Sequence, residues 1–222
     1  MNQVIVLVEG STEETFIKEV VRPYLQGYDV WMIPTIINTK IVKDGKNFKG
    51  GAVTFGKSSR DLQRILKDSS VYVTTFFDFY RLGTDFPSQH QMPQNASIYE
   101  RVAVVEMAFE KGINNERFKA YIQPHEFEAL LFADLRGFEN NFSDEPDFIE
   151  GIKQIIQAFP NPEEINDGAT TAPSKRIETL KPKYEKIFHG NMVALENGMG
   201  VLLLKCPHFA DWIQWIINLE QI

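Results

Sequence analysis

Disulfide chemistry is all but excluded: of 222 residues only Cys206 is a cysteine, so no internal bridge can form. A reducing, cytoplasmic setting is expected. Long apolar runs are also missing. Nothing approaches the ~18 consecutive apolar residues of a membrane-spanning helix, and Val71–Phe77 and Val201–Leu204 are core-sized. The opening MNQVIVLVEG has no basic residue ahead of its apolar stretch and meets an acid at Glu9, so it reads as a first strand rather than an export signal. No membrane partner is expected. Excess positive charge is absent as well. Lys plus Arg number 23 against 30 Asp plus Glu, a net charge of −7, which argues against a general nucleic-acid coat protein. What remains, 43% hydrophobic and 24% charged, is the mixture of an ordinary folded domain.

The average hides a cluster. Lys40, Lys43, Lys46, Lys49, Lys57, Arg60, Arg64 and Lys67 face only Asp44 and Asp61 within residues 40–67. Eight bases minus two acids leave +6 there, hence −13 elsewhere. Such a window is either a solvated face or a phosphate-tracking patch beside an acidic site.

Hydrophobic patterning supplies the element order. Gln3–Val8 is continuously apolar, as a strand buried on both faces would be. Ser11 and Glu14 have capping-box spacing, and a helix is expected to about Leu25. Val30–Ile37 and Val71–Phe77 read as strands, 59–67 and Ile98–Lys111 as helices, and Phe118–Ile122 as a fourth strand. Strands alternating with helices predict an α/β fold: a mostly parallel, Rossmann-like sheet with helices on both faces. From Pro124 onward helical periodicity dominates, through His125–Phe132, Pro146–Phe159, Ser174–Leu180 and two segments between Met192 and Leu219. The expected division is an α/β core over 1–124 and a helical C-terminal extension over 125–222, packed on that core.

Acids fall where this topology makes them count. Glu9 follows the first strand, Asp78 the third, and Glu126 and Glu128 the fourth. In a parallel sheet the carboxyl ends share one edge, where ligands bind. Clustered carboxylates repel one another and suit a divalent cation, and oxygen-only donors favour Mg2+ or Mn2+. A cation held this way serves phosphoryl transfer. Each acid also has an ordinary alternative role, as a helix or turn cap or a solvated helix residue.

Three further patterns compete. Residues 51–58, GAVTFGKS, fit the phosphate-loop pattern G-x-x-x-x-G-K-[ST], but a polar stretch precedes them instead of a buried strand. HEFEA at 125–129 has Ala129 where a zinc protease requires its second histidine. Cys206 and His208 lack companion ligands, so a buried thiol and a surface or capping histidine are expected. Trp212, Trp215, Ile216 and Leu219 have helical spacing and read as core.

VLVEGSTEETFIKEVV resembles the opening of a toprim domain, the fold shared by topoisomerases and primases, and TTFFDFYRL resembles its second motif. HEFEALLFAD, NPEEINDGATTAPSKRI and CPHFADWI extend the likeness to a toprim-like bacterial family of unassigned function. The resemblance implies a Mg2+- or Mn2+-dependent nuclease acting on nucleic acid. It makes Glu9 the acid-base residue and Asp78 the first metal ligand, with Glu126 or Glu128 as a third. The usual Asp-x-Asp reads Asp78-Phe79-Tyr80 here, so the second aspartate is missing. Lys57, Lys175 and Arg176 are candidate phosphate contacts, and Phe79 and Tyr80 candidate base-stacking rings. A Phe-Glu pair, Phe127-Glu128, is shared with toprim nucleases of ATPase-associated antiphage systems, which implies a defence role and a partner ATPase. The alternatives are a non-catalytic adaptor subunit of the same fold and, less favoured, a phosphate-loop NTPase.

Overall fold

A computed structural model describes residues 1–37, 53–88, 95–165, 168 and 170–220. Five strands form one parallel sheet: β1 (Asn2–Val8), β2 (Val30–Ile36), β3 (Val71–Asp78), β4 (Phe118–Lys119) and β5 (Ile122–Gln123). The order is β2-β1-β3-β4, with β5 also pairing β3. Val8 lies beside Ile36 on one side and Phe76 on the other, and Asp78 beside Gln123. The carboxyl ends of β1, β3 and β5 therefore share one rim.

Helices cover both faces, as the alternation of β and α patterns predicts. Val4, Val6 and Val8 pack with Phe16, Ile17, Val20, Val21 and Leu25. These come from α1 (Ser11–Phe16), a π-helical turn (Ile17–Val21) and α2 (Arg22–Gln26). Ile5, Leu7, Val73 and Phe77 pack on the other face with Leu62 of α3 (Phe55–Ile65) and Phe109 of α4 (Ile98–Ile113). The helix expected from Ser11 to Leu25 is thus continuous but widened in its middle. Pro23, in the first turn of α2, has no N–H to continue an α-helical ladder, and the π turn lies directly before α2.

The fourth strand is split. Thr75 replaces the missing ladder at Tyr121: its hydroxyl donates to the Tyr121 carbonyl at 2.9 Å and accepts the Tyr121 N–H at 3.0 Å. Residues 118–119 and 122–123 pair normally on either side.

After β5 come a 3₁₀ segment (Phe127–Ala133), α5 (Arg136–Asn141), α6 (Pro146–Ala158), α7 (Pro173–Leu180), a π turn (Lys186–Gly190), α8 (Asn191–Lys205) and α9 (Pro207–Ile217). All seven residues of the 3₁₀ segment are buried. The expected helix over His125–Phe132 is thus a 3₁₀ segment with no exposed face. Phe16, Phe76, Phe127, Phe209 and Trp212 share one core, so the C-terminal helices close the face that α1 and α2 begin. The Trp212 indole N–H donates to the Thr74 hydroxyl at 2.9 Å. Cys206 is fully buried. His208 stands in the first turn of α9, with its Nε2 3.0 Å from Glu106 and its ring stacked on Tyr121.

Among the described residues, Lys186–Lys205 is long and apolar enough to cross a membrane by length and composition, with a mean hydropathy of 1.2. Gly198, at φ 72° and ψ 159°, breaks its helical path. Val193, Ala194, Met199 and Leu202 belong to the protein core.

Candidate functional site

The rim gathers the acids that separate strands deliver. Glu9 follows β1, and its carboxylate accepts the backbone N–H of Asp78 at 2.7 Å. Asp78 ends β3, and its Oδ1 accepts the N–H of Phe127 at 2.9 Å. Glu126 comes off β5 through His125, whose φ of 62° is unusual for a residue with a side chain. The His125 carbonyl accepts the N–H of Tyr80 at 2.9 Å, so this turn is fastened to the segment after β3. Glu126 accepts the N–H of Ser174 in the first turn of α7. Glu128 pairs with the Lys186 ammonium at 2.8 Å.

Glu9, Asp78, Glu126 and Glu128 thus come together. A fifth acid, Glu13, joins them. The capping box expected at Ser11 and Glu14 does not form. Gly10 is the N-cap of α1, and Glu13, three residues on, accepts from the Gly10 backbone. Glu14 instead pairs with Lys18 at 2.6 Å. The shift by one residue turns Glu13 inward, where it is 8% exposed.

Burial dominates the electrostatics. It pushes Glu9 up to about 8, with Glu13 adding repulsion, and Glu128 up to about 7 against the pull of Lys186. Asp78 is raised well above the usual carboxylate range, by burial first and then by Glu9, Glu13, Glu126 and Glu128. Glu13 is raised by burial as well. The principal opposing charges are Arg81 and Lys186. Five carboxylates against two cations leave an excess of three negative charges when all are ionised. Protons or a hard divalent cation relieve that excess.

The donor set suits Mg2+ or Mn2+ in chemistry, being all carboxylate oxygen. Its arrangement is not a closed cage. Among the described residues no three His, Cys, Asp or Glu side chains are grouped so that they could hold a metal ion. Glu9, Asp78, Glu126 and Glu128 each have an oxygen committed to a backbone N–H or to Lys186.

The expected phosphate contacts are placed differently. Segment 173–176 does reach the site, but through the Ser174 backbone N–H. The Lys175 ammonium pairs with Glu178 at 2.5 Å. Arg176 donates from Nε to the Thr171 carbonyl at 2.7 Å and lies 5.0 Å above the Phe159 ring. Lys57 stands in the first turn of α3, a helix packed on the opposite sheet face from α1. Lys40, Lys43, Lys46 and Lys49 lie outside the described residues, as do Asn166 and Asp167.

Gly51 and Ala52 of the phosphate-loop pattern also lie outside them. The N–H groups of Phe55 and Gly56, at the start of α3, donate to the Asp85 carboxylate at 3.1 Å each. Asp85 thus sits where a phosphate loop would seat its phosphate, and it caps α3. Phe79 is buried, while Tyr80 is 48% exposed.

Glu13, Arg81, Lys186, Ser174 and Tyr184 were not legible as site residues. Arg81 and Glu13 lie within the motif stretches around Asp78 and Glu9. Lys186 and Tyr184 arrive from more than 50 residues beyond Glu128, and only folding brings them there.

The family model of a domain of unknown function, DUF4276, matches residues 8–217. A search of curated proteins and a search of solved structures return no match.

Proposed function

The chain belongs to the DUF4276 family, and from the chemistry of its site we propose that it is a Mg2+- or Mn2+-dependent nuclease, cleaving phosphodiester bonds of nucleic acid. The observation that carries this reading is the gathering of Glu9, Glu13, Asp78, Glu126 and Glu128 at the carboxyl edge of a parallel sheet. Buried acids in that number are costly without a cation. The resemblance of the Glu9 and Asp78 segments to toprim motifs points the same way.

In this reading Glu9, Asp78, Glu126 and Glu128 would hold the ion. Bound there, it would neutralise charge developing on the scissile phosphate. Glu9 moves the proton, from the attacking water or to the leaving oxygen. Arg81 and Lys186 balance the phosphate charge. Tyr80 offers an exposed ring to a base. A phage-defence role and a partner ATPase belong to the same proposal and rest on the resemblance, and a cytoplasmic location rests on the single cysteine.

A non-catalytic adaptor is the second reading, favoured by the Lys186–Glu128 pair and by Tyr80 in the place of the second aspartate. In it the ammonium is a permanent counter-ion. Calorimetric titration with Mn2+ separates the two. The nuclease reading expects binding that Asp78→Ala abolishes. An absence of wild-type binding up to millimolar Mn2+ would leave the adaptor. The phosphate-loop reading is less favoured, because Asp85 takes the donors at the start of α3.

A further inference from the structure

One side of α3 is cationic in a chain whose net charge is −7. Lys57, Arg60, Arg64 and Lys67 recur every three or four residues, so they share one side of the helix and of the turn that ends it. Leu62 and Leu66 are buried on the other side, where α3 packs on the sheet. Arg60, Arg64 and Lys67 are exposed, and Lys57 is half-buried. The Arg60 Nε donates to the Gly56 carbonyl at 2.9 Å, which holds its exposed guanidinium along the helix.

A solvated face laced with ion pairs would look different. Lys18, Arg136, Lys153 and Lys175 are each paired with a carboxylate. Among the described residues Arg60, Arg64 and Lys67 are in no ion pair. Two acids fall within the stripe's length or just past it, Asp61 and Asp68. Asp68 is turned to Ser70, accepting its N–H at 2.9 Å and its hydroxyl at 2.6 Å. None of the exposed large apolar side chains of the described residues falls within 53–67, so the face lacks the anchors of a protein-docking surface.

The stripe starts at the acid rim. Leu82 bridges Val53, and the Gly83 N–H donates to the Val53 carbonyl at 2.7 Å. The residues just before α3 are thus stitched to the segment that follows Asp78, where Arg81 is exposed. From there α3 runs away from the rim, because it leads into β3 and β3 runs toward the rim. Lys57 to Lys67 spans about 15 Å at the helical rise. That length covers roughly four phosphates of one duplex strand, at about 3.4 Å each.

We propose that Arg60, Arg64 and Lys67, with Lys57 at their head, form a track for the phosphate backbone of a nucleic-acid duplex that reaches the acid rim past Arg81. This deepens the nuclease reading and rests on it for the identity of the polyanion. Contacts of this kind give affinity and direction and carry no base sequence.

The test is fluorescence-anisotropy titration of DNA and RNA duplexes of about 20 bp in Ca2+, across about 50 to 200 mM salt. Wild type is compared with the triple variant Arg60→Gln, Arg64→Gln, Lys67→Gln. A second triple variant, Lys18→Gln, Arg136→Gln, Lys153→Gln, has the same net charge and serves as control. Glutamine keeps helix propensity, so melting temperatures should stay close to wild type. The α3 variant should bind at least about 30-fold more weakly at the lowest salt, and its logarithmic salt slope should fall by about 2 to 3. The control should bind within about threefold of wild type. Wild-type affinity and slope in the α3 variant would overturn the track and leave the nuclease reading standing. Equal losses in the two variants would also overturn it, since net charge and not place would then set affinity. No binding of either duplex by wild type would overturn both.

Discussion

The carboxylate of Glu9 accepts the backbone N–H of Asp78 at 2.7 Å, so the acid that follows one strand is fastened to the acid that ends its neighbour. The register makes this contact: Val8 pairs with Phe76, which sets the residues after Val8 level with the end of β3. The same hydrogen bond that holds Glu9 brings two buried carboxyl groups into repulsion. The site therefore stores unfavourable electrostatics that a cation or protons must relieve.

The stability of the metal-free protein should fall as pH rises. Glu9, Glu13, Asp78 and Glu128 all bind protons more tightly folded than unfolded. Between the ordinary carboxylate pKa near 4.5 and the raised values, about 8 for Glu9 and about 7 for Glu128, the unfolded chain carries fewer protons. The contribution is fully present below pH 4.5 and is lost as pH rises through 7 to 8. Thermal melts in EDTA should show a drop on the order of 5 °C between pH 5.5 and pH 8.5, and millimolar Mg2+ should restore most of it at the higher pH. A flat profile would mean that the acids do not repel as described.

Asp78→Asn should stabilise the metal-free protein at pH 8 while ending Mn2+ binding. Asparagine keeps an oxygen for the Phe127 N–H and removes one charge from the cluster. A gain of about 1–2 kcal/mol in urea unfolding is expected. A loss of stability would show that the Asp78 charge is compensated by something other than a cation.

Glu163 is a test of how the C-terminal helices are held. It is fully buried, accepts the N–H groups of His208 and Phe209 at 2.9 Å each, and receives the Tyr99 hydroxyl at 3.3 Å. It is the cap of α9, supplied from outside that helix. Glu163→Ala leaves those donors buried and should cost about 2–4 kcal/mol, measured by denaturant unfolding.

Gly137→Ala should also destabilise, by about 1–3 kcal/mol. A Cβ at 137 would stand 2.3 Å from the Asn197 Oδ1 and 2.8 Å from the Val193 carbonyl, where α5 crosses α8. A neutral effect on unfolding would mean that the crossing is looser than these distances.

Much of the fold could be read from local pattern. β1, β2, β3 and α4 were expected within a few residues of where they lie, because β-branched apolar runs and helical periodicity are local signals. Topology then brought Glu9, Asp78, Glu126 and Glu128 to one rim, since parallel strands have only one carboxyl edge. The rest needed distance information. α5 is six residues long, too short for a period to declare itself. Phe118–Ile122 read as one strand, because the hydroxyl that interrupts it belongs to Thr75, more than 40 residues earlier. Glu13 was hidden by a one-residue shift in the cap of α1. Lys175 and Arg176 drew attention by charge, although it is the neutral backbone of Ser174 that reaches Glu126. Backbone donors leave no mark in composition.

The most direct test of the central claim is cleavage of single- and double-stranded DNA and RNA in Mg2+, Mn2+ or EDTA, comparing wild type with Glu9→Gln. The account predicts metal-dependent cleavage that Glu9→Gln lowers at least about 100-fold, with the folded state intact. Cleavage that persists in EDTA, or is unchanged by Glu9→Gln, would contradict it.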